Sequence, residues 1–298
     1  MVKLDLNQIK KISAFTHPSQ RNGGNIAGVY INSHSQTISD EKKQNIAKKL
    51  GFSETTYIDI MSDNHFKFSF FTPTEPISYC GHASLAGFYL LREKGLIRHL
   101  SRVYQVLNNQ DKREILFDDD LIMCETTLPH FVQKIATTDL LNYLPELDEC
   151  DILSTAEVWD NSGVRDILIP LNSKKSLRKI ISSDNKTKQL ISSLSKKYNA
   201  VGIHLFTFDT IEESSFVLAR NLAPLVGIDE ESATGSSTGS VLAFLLKHKP
   251  AILNEKQLYT FEQGDFMQTP SRIYAQYQIN SQNKTRIFVG GYAKMIEY

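Results

Sequence analysis

The chain has 298 residues, enough for one large domain or two of about 150 residues. Lys plus Arg equals Asp plus Glu at 33 each, so no global field draws the chain to nucleic acid or to an anionic membrane. With 41% hydrophobic and 22% charged residues it reads as an ordinary globular chain that buries a substantial core. The stretch from Met1 to Lys11 lacks the apolar core of a signal peptide, and no run reaches the roughly 18 apolar residues needed to span a bilayer. The expected location is the cytoplasm. Cys80, Cys124 and Cys150 are too few and too widely spaced for a disulfide framework or a cysteine-based zinc site.

In chain order, Ile26 to Asn32 predicts a strand after the Gly23-Gly24 turn. Ser39 is a good helix N-cap, with Asp40 and Glu41 in the first turn, an apolar face at Ile46, Ala47 and Leu50, and Gly51 as the stop. Lys48 and Lys49 sit in the last turn, where the helix dipole favours cations. The pairs Lys42-Lys43 and Lys48-Lys49 read as solvated helix faces. Thr55 to Ile60 and Phe66 to Phe71 have strand character, and Gly81 to Lys94 predicts a helix stopped by Gly95. Strands are also expected over Arg113–Phe117, Leu121–Thr127, Asp166–Leu171 and Ala200–Phe208, with a helix over Lys186–Tyr198. Two closing strands are expected at Arg286–Val289 and Tyr292–Ile296.

Two passages about half a chain apart resemble each other. Phe70-Phe71-Thr72-Pro73 leads through a loop to Gly81 and the small, apolar run Ala83 to Leu91. Asn221-Leu222-Ala223-Pro224 leads through a longer loop to Gly235 and the run Ser236 to Leu246. Such self-similarity suggests duplication. Both predicted helices are apolar nearly all round, so each must be enclosed. The expected architecture is α+β: two pseudo-symmetric halves, each a barrel-like mixed sheet around a central helix, with Gly87 and Gly239 permitting close approach of the sheet. The division expected is 1–128, with Glu54 and His82, and 129–298, with Glu231 and Ser236, the last strand crossing back to the first half.

A helix start offers unpaired N–H groups and partial positive charge, a ready place for a carboxylate or phosphate. Two such starts would face one cleft if the halves packed symmetrically. Ser236, Ser237 and Thr238 read equally well as plain helix caps. Glu54, between a helix and a strand, reads as an exposed glutamate unless a cleft desolvates it, in which case a raised pKa would suit it to act as base and then acid. His82 lies beside the helix-opening glycine. Taken one position at a time, these residues leave the function open.

Together they resemble the PhzF-like proteins, named for phenazine biosynthesis. The resemblance spans nearly the whole chain: Phe15-Thr16, the GNpaaV-like Gly24-Asn25-Ile26-Ala27-Gly28-Val29, and Gly51-Phe52-Ser53-Glu54-Thr55-Thr56-Tyr57. It continues through Phe71-Thr72-Pro73 into Cys80-Gly81-His82-Ala83, then Gly227 to Ser236, Gln263-Gly264 and Val289-Gly290-Gly291. It implies a diaminopimelate-epimerase-like fold, a homodimer, and neither cofactor nor metal. It places the family's catalytic glutamate on Glu54, its active-site histidine on His82, the aspartate opening its DPATGS motif on Glu231 and that motif's serine on Ser236. Asn25, Gly81, Gly235 and Ser237 would then bind a small anionic metabolite. The implied reaction is a metal-free proton shift like the isomerisation of trans-2,3-dihydro-3-hydroxyanthranilate, with N–H groups at a helix start stabilising the developing charge.

This sequence departs from the pattern in places. Glu231 and Ser232 replace the motif's Asp-Pro, Ser13 stands where many members have aspartate, and Thr269 where many have arginine. Related epimerases use two cysteines as a base pair. Cys80 fills the first such place, but Ser232 falls on the second, so thiol racemisation is not expected and Cys80 reads as a packed small hydrophobe. The altered motif leaves a second reading, a small-molecule-binding or interaction protein without turnover. A Ser-His hydrolase built on Ser236 and His82 is a weaker, third reading. Phosphate-loop and dinucleotide motifs are absent, as is any His-x-x-x-His metal pattern.

Overall fold

A computed structural model of the chain describes residues 8–20, 22–32, 38–98 and 102–296. Its strands and helices divide between two compact units: Met1–Ser19, Gly24–Glu125 and Gly290–Tyr298 in the first, Gln20–Gly23 and Thr126–Val289 in the second.

In the first unit β1 (Lys10–Thr16) runs antiparallel to β2 (Asn25–Asn32). Helix α1 (Asp40–Leu50) carries the chain to β3 (Glu54–Ser62), which lies parallel to β2. β4 (His65–Phe71) returns antiparallel to β3 and takes the short β5 (Pro76–Ile77) on its edge. Helix α2 (Gly81–Glu93) then crosses to β6 (Val103–Val106), parallel to β4. β7 (Lys112–Asp118) and β8 (Leu121–Thr126) follow as antiparallel neighbours. The ring closes through β17 (Thr285–Met295), which pairs with both β8 and β1.

α2 is the core of this ring. It packs on β1, β2 and β3, and every residue from His82 to Phe88 is buried. Closure removes exposed sheet edges, and the Phe68 and Phe88 rings stack at 4.8 Å in the interior. A Cβ on Gly87 would lie 2.8 Å from Ile58 Cδ1 and overlap Phe68, so glycine is required for this approach. α1 covers the outside, burying Ile46 and Ala47 beside Tyr30, Tyr57 and Phe71. Its ends match the sequence: Ser39 Oγ accepts from Lys42 N, and Gly51 is left-handed with φ 66°. Lys48 and Lys49 are exposed as expected, but Lys43 is tucked inward. Its ammonium donates to Ser69 Oγ at 3.2 Å and lies 5.8 Å from the Tyr57 ring centre. A lysine stem buries readily while its charged end finds an acceptor.

The second unit repeats this wiring. β9 (His130–Ile135) pairs antiparallel with β10 (Ala156–Asn161), and β10 with β11 (Val164–Pro170). Helices α4 (Lys174–Lys179) and α5 (Asn185–Lys197) stand where α1 stood, leading to β12 (Gly202–Thr207), parallel to β11. β13 (Val217–Ala223) is antiparallel to β12 and carries the short β14 (Ile228–Glu231). Helix α6 (Gly235–His248) crosses to β15 (Tyr259–Gln263), parallel to β13, and β16 (Ser271–Ile279) follows antiparallel. α6 packs on β9, β10, β11 and β16. α3 (Thr137–Tyr143), α4 and α5 cover the other face, where Leu140, Leu177, Ile191 and Leu194 meet Ile167, Ile169, Ile203 and Leu205. Covered on both faces, β11 reads as the unbroken apolar run Ile167 to Pro170.

Two expectations need correction. The two closing strands are one: β17 runs straight through Gly290-Gly291. A Cβ at Gly290 would lie 2.6 Å from Met123 Cα, so this glycine serves close strand packing rather than a turn. Gly239 is less constrained than Gly87, because a Cβ there would meet only atoms at 3.4 Å. The elements of the middle of the chain, among them β9, β10, α3, α4 and β16, gave no usable sequence signal. No described helix is long and apolar enough to cross a membrane.

Candidate functional site

In the first unit the parallel register sets Glu54 beside Ala27, so β3 begins where β2 has just begun. Asn25, the first residue of β2, is half-buried and lies across from Ala14 near the end of β1. There β1 carries a register shift against β17, and Phe15, buried, is held at φ 61°. A bulky residue with positive φ costs about 1–3 kcal/mol and persists only where its surroundings demand it. The first turn of α2 meets this end of the ring through His82.

Glu54 Oε2 lies 3.0 Å from His82 Nε2, with side-chain exposures of 18% and 7%. The pair is therefore mostly, but not wholly, removed from water. That carboxylate oxygen makes an ion-pair contact, yet no well-angled hydrogen bond reaches it from the described residues. Ser53 Oγ donates to Ile26 O at 3.2 Å and lies 3.5 Å from His82 Nε2. Cys80 Sγ lies against the same ring, 3.4 Å from Nδ1 and 3.9 Å from Nε2.

Burial alone would raise the Glu54 pKa, but the His82 ring 3.0 Å away, aided by Ser53, outweighs it and holds the carboxyl below its ordinary value. This corrects the sequence expectation of a raised carboxyl. Burial likewise works against charge on His82, but Cys80 and Glu54 hold it well above the ordinary imidazole value. Burial and the Glu54 charge push the Cys80 thiol up, against opposing contributions from His82 and the Ala83 N–H. These directions favour an ionised Glu54 beside a protonated His82, with the Cys80 thiol kept from ionising. Cys80 is thus buried as expected, but it also lies against the His82 ring.

The two central helices, like the short outer helix α3, start without a side-chain cap, unlike α1, α4 and α5. Ser39, Ser173 and Asp184 cap α1, α4 and α5 with side-chain oxygens. Cys80 and Thr234 stand at the N-caps of α2 and α6 without such a bond. In α2 the first helical bond is Ser84 N to Cys80 O, so the Gly81 and His82 N–H groups have no helical acceptor. Space is open beside Gly81, with Tyr79 Oη the nearest atom to a would-be Cβ at 4.0 Å.

The second unit gathers its own polar set. Glu230 is locked by Arg220 through paired contacts of 2.8 and 2.7 Å. Glu231 instead accepts from Thr234 Oγ1 at 2.5 Å. Gln263 fastens the same turn, donating to Glu231 O at 2.7 Å and to Thr234 Oγ1 at 3.0 Å, while Thr234 N donates to Gln263 Oε1 at 3.1 Å. Ser236 is half-buried in the first turn of α6, beside Gly235, and its carbonyl accepts from Asn161 Nδ2 at 2.9 Å.

Ser237 needs correction as a ligand-binding side chain. It is fully buried and donates to Asp166 Oδ2 at 2.6 Å. Asn221 Oδ1 lies 3.4 Å from the same hydroxyl and 3.1 Å from His204 Nδ1. Nor do Ser236, Ser237 and Thr238 cap the helix, since the Thr238 hydroxyl turns back to Thr234 O. Asp166, His204 and Asn221 escaped the sequence analysis because they lie on different strands with no shared local spacing. Ser53 and Gln263 had a signal, each lying inside a family block, but nothing local marked their bonds.

Among the described residues two groups have metal-ligand geometry. In Glu54, Cys80 and His82, His82 Nε2 lies 3.0 Å from Glu54 Oε2 and 3.9 Å from Cys80 Sγ, and burial pushes the thiol pKa up, against the thiolate that a metal would need. In Asp148, Cys150 and Asp151, the Lys179 ammonium contacts both carboxylates, at 3.1 and 2.7 Å, and supplies the positive charge there.

Residues 12–297 match the family model described as phenazine biosynthesis-like protein. YfhB of Bacillus subtilis, named an uncharacterized isomerase, is 27% identical over 86% of each chain. A relative from Clostridium acetobutylicum, likewise named an uncharacterized isomerase, is 25% identical over 96% of this chain and 95% of its own. The fold matches the crystal structure of the PhzF-family phenazine biosynthesis protein of Bacillus anthracis, with TM-score 0.81 at 21% identity over 97% and 96% of the two chains. It also matches a hydroxyproline epimerase of Agrobacterium vitis with bound trans-4-hydroxy-L-proline, with TM-score 0.61 at 12% identity over 97% and 90%. The α+β architecture is therefore the one shared by PhzF proteins and proline-type epimerases. With residues 12–297 matched by the family model, the chain belongs to the phenazine biosynthesis-like, PhzF-containing family.

Proposed function

We propose that this protein is a cofactor-independent isomerase that moves a proton between carbons of a small carboxylated metabolite, with Glu54 as the proton carrier. One observation carries the reading: the largely buried Glu54 carboxyl lies 3.0 Å from the buried His82 ring at a central helix start that has no side-chain cap. A carboxylate held ionised is ready to take a proton from carbon. Once protonated it is a strong enough acid to return the proton to a different carbon, so no net proton is gained or lost. The Gly81 and His82 N–H groups and the His82 ring are donors for the charge that develops between the two steps. They also suit a substrate carboxylate, the group that the hydroxyproline ligand of the related epimerase carries.

The test is proton exchange at substrate carbon in deuterated water, across small carboxylates that include trans-2,3-dihydro-3-hydroxyanthranilate and hydroxyproline. Wild type should incorporate deuterium and Glu54→Gln should not. Equal incorporation by both proteins removes Glu54 from the mechanism. The contact of Glu231 with Thr234 favours a second reading, a binder without turnover, because it occupies the acid that replaces the family aspartate. Thermal stabilisation by a carboxylate with no exchange in any pairing supports that alternative. A homodimer in the cytoplasm belongs to the main reading, and light scattering at micromolar concentration checks the dimer.

A further inference from the structure

Gln263 is the last residue of β15, fully buried, and paired through its backbone with Ser271 of β16. Next to it, Gly264 lets the strand end press on the turn before α6. A Cβ on Gly264 would lie 2.8 Å from Ser232 O and 2.3 Å from Thr269 O. The Gln263 amide faces that turn, and its two ends cannot be exchanged. Thr234 N, a donor, lies 3.1 Å from one end, which must be the oxygen Oε1. Glu231 O, an acceptor, lies 2.7 Å from the other, which must be the nitrogen Nε2.

That assignment fixes a hydroxyl as well. Nε2 also lies 3.0 Å from Thr234 Oγ1, and an amide nitrogen only donates, so the threonine oxygen accepts. Its own hydrogen is left for Glu231 Oε2 at 2.5 Å, a length typical of a hydroxyl donating to a carboxylate. Thr234 stands at the N-cap of α6, where a threonine usually turns its oxygen to the N–H groups of its own helix. Here it makes no such bond. The hydroxyl serves the carboxylate instead. A chain of bonds thus runs from β15 through Gln263 and Thr234 to the acid that stands in place of the family's aspartate. Glutamate has one more side-chain torsion than aspartate, so its carboxylate needs more restraint to stay in one place. A carboxylate held by one hydroxyl keeps capacity for further donors, so the bond orients Glu231 without using it up.

We propose that Gln263 is a positioning residue for Glu231: it turns the Thr234 hydroxyl onto the glutamate carboxylate and so holds this longer acid at one place beside the start of α6. The inference rests on the isomerase reading, with Glu231 as an acid of its site, only for its effect on turnover. The chain of bonds itself is tested without any substrate.

The experiment uses the full chain and four substitutions. Gln263→Leu removes the amide. Thr234→Val removes only the hydroxyl and leaves the Thr234 N–H bond to Gln263 in place, which keeps the test open if Gln263→Leu folds poorly. Thr234→Ser keeps the hydroxyl, and Glu231→Gln removes the charge. Thermal unfolding is the first readout. Gln263→Leu, Thr234→Val and Glu231→Gln should each lower the midpoint by about 2 °C or more, and each pair combined should lower it by less than the sum of its members. Fully additive shifts overturn the proposal. Deuterium exchange is the second readout. Gln263→Leu and Thr234→Val should lower kcat about tenfold with KM within about twofold, and Thr234→Ser should regain most of the valine variant's loss. In a Glu231→Gln background neither should lower kcat further. A purely structural role predicts lower midpoints with unmoved kcat, or the same loss of kcat in both Glu231 backgrounds, and either result overturns the proposal. Failure of wild type to exchange any substrate counts against the Glu54 reading and leaves the thermal arm to decide on Gln263.

Discussion

Glu54 Oε2 and His82 Nε2 meet at 3.0 Å although one residue opens a strand and the other sits in the first turn of the central helix. The contact turns an otherwise ordinary glutamate into a carboxylate that stays ionised despite burial. Its pH behaviour follows directly. Glu54 is held below its ordinary 4.5, and His82 well above 6.5. Exchange activity should therefore follow a broad bell, its acid limb below pH 4.5 and its alkaline limb well above pH 6.5. A pH–rate profile of kcat/KM measures both limbs. An acid limb above pH 5 would contradict the pairing.

His82→Gln separates the two influences on Glu54. With the imidazolium gone, burial is left largely unopposed and raises the carboxyl, so the acid limb should move upward past 4.5. Activity should fall by about 10²- to 10⁴-fold, the usual weight of a charged group in proton transfer. Kinetics across pH 3 to 8 check both effects. The sign for stability matches: the Glu54 contribution is present above pH 4.5 and lost as pH falls through its depressed value, whereas that of His82 is present below pH 6.5 and lost as pH rises through its elevated value.

The two central helices should respond differently to one methyl group. Gly87→Ala forces a Cβ into Phe68 and Ile58, and should destabilise by about 1–3 kcal/mol. Gly239→Ala meets only atoms at 3.4 Å and gains helix propensity, so it should be neutral or stabilising by up to about 1 kcal/mol. Thermal or urea unfolding of both variants provides the comparison, and a Gly87→Ala protein as stable as wild type would show the ring to be more loosely packed than described.

In the second unit, Asp166 and His204 form an opposed pair. Burial lifts the Asp166 carboxyl from 3.8 to about 6, against its bond from Ser237. Burial lowers His204 from 6.5 to about 4, against its contact with Asn221. Native Asp166 holds a proton that the unfolded chain gives up between pH 3.8 and 6, so its contribution falls as pH rises through that window. Unfolded His204 takes up a proton between pH 6.5 and 4 that the native state refuses, so its contribution rises with pH there. Each amounts to roughly 3 kcal/mol and they nearly cancel. Asp166→Asn should unmask stability that climbs from pH 4 to 6.5, and His204→Gln stability that declines from pH 4 to 6. Urea midpoints at intervals across this range give the slopes.

The sequence carried more of the site than of the scaffold. Helix α1 was legible end to end because capping serine, dipole-matched charges and stopping glycine all act within one segment. The paired loop-to-helix passages exposed the repeat for the same reason. Strands such as β9 and β16 were hidden, since their partners are set by register with distant strands rather than by local pattern. In the site, family blocks singled out Glu54 and His82. They did not reveal that Cys80 lies against the imidazole, that Ser237 faces inward to Asp166, or that the Glu54 carboxyl is lowered. The last two depend on contacts between segments and the first on the direction of a side chain, and a motif records only spacing.

The pairing of Ile12 with Met295 and of Thr16 with Tyr292 joins the first barrel's opening strand to residues made about 280 positions later. A ribosome building this chain has made α2, Glu54 and the whole second unit before residues 290–295 emerge. The wall around α2 therefore stays open until they do, and a nascent chain stalled in β16 leaves α2's apolar surface for chaperones to cover.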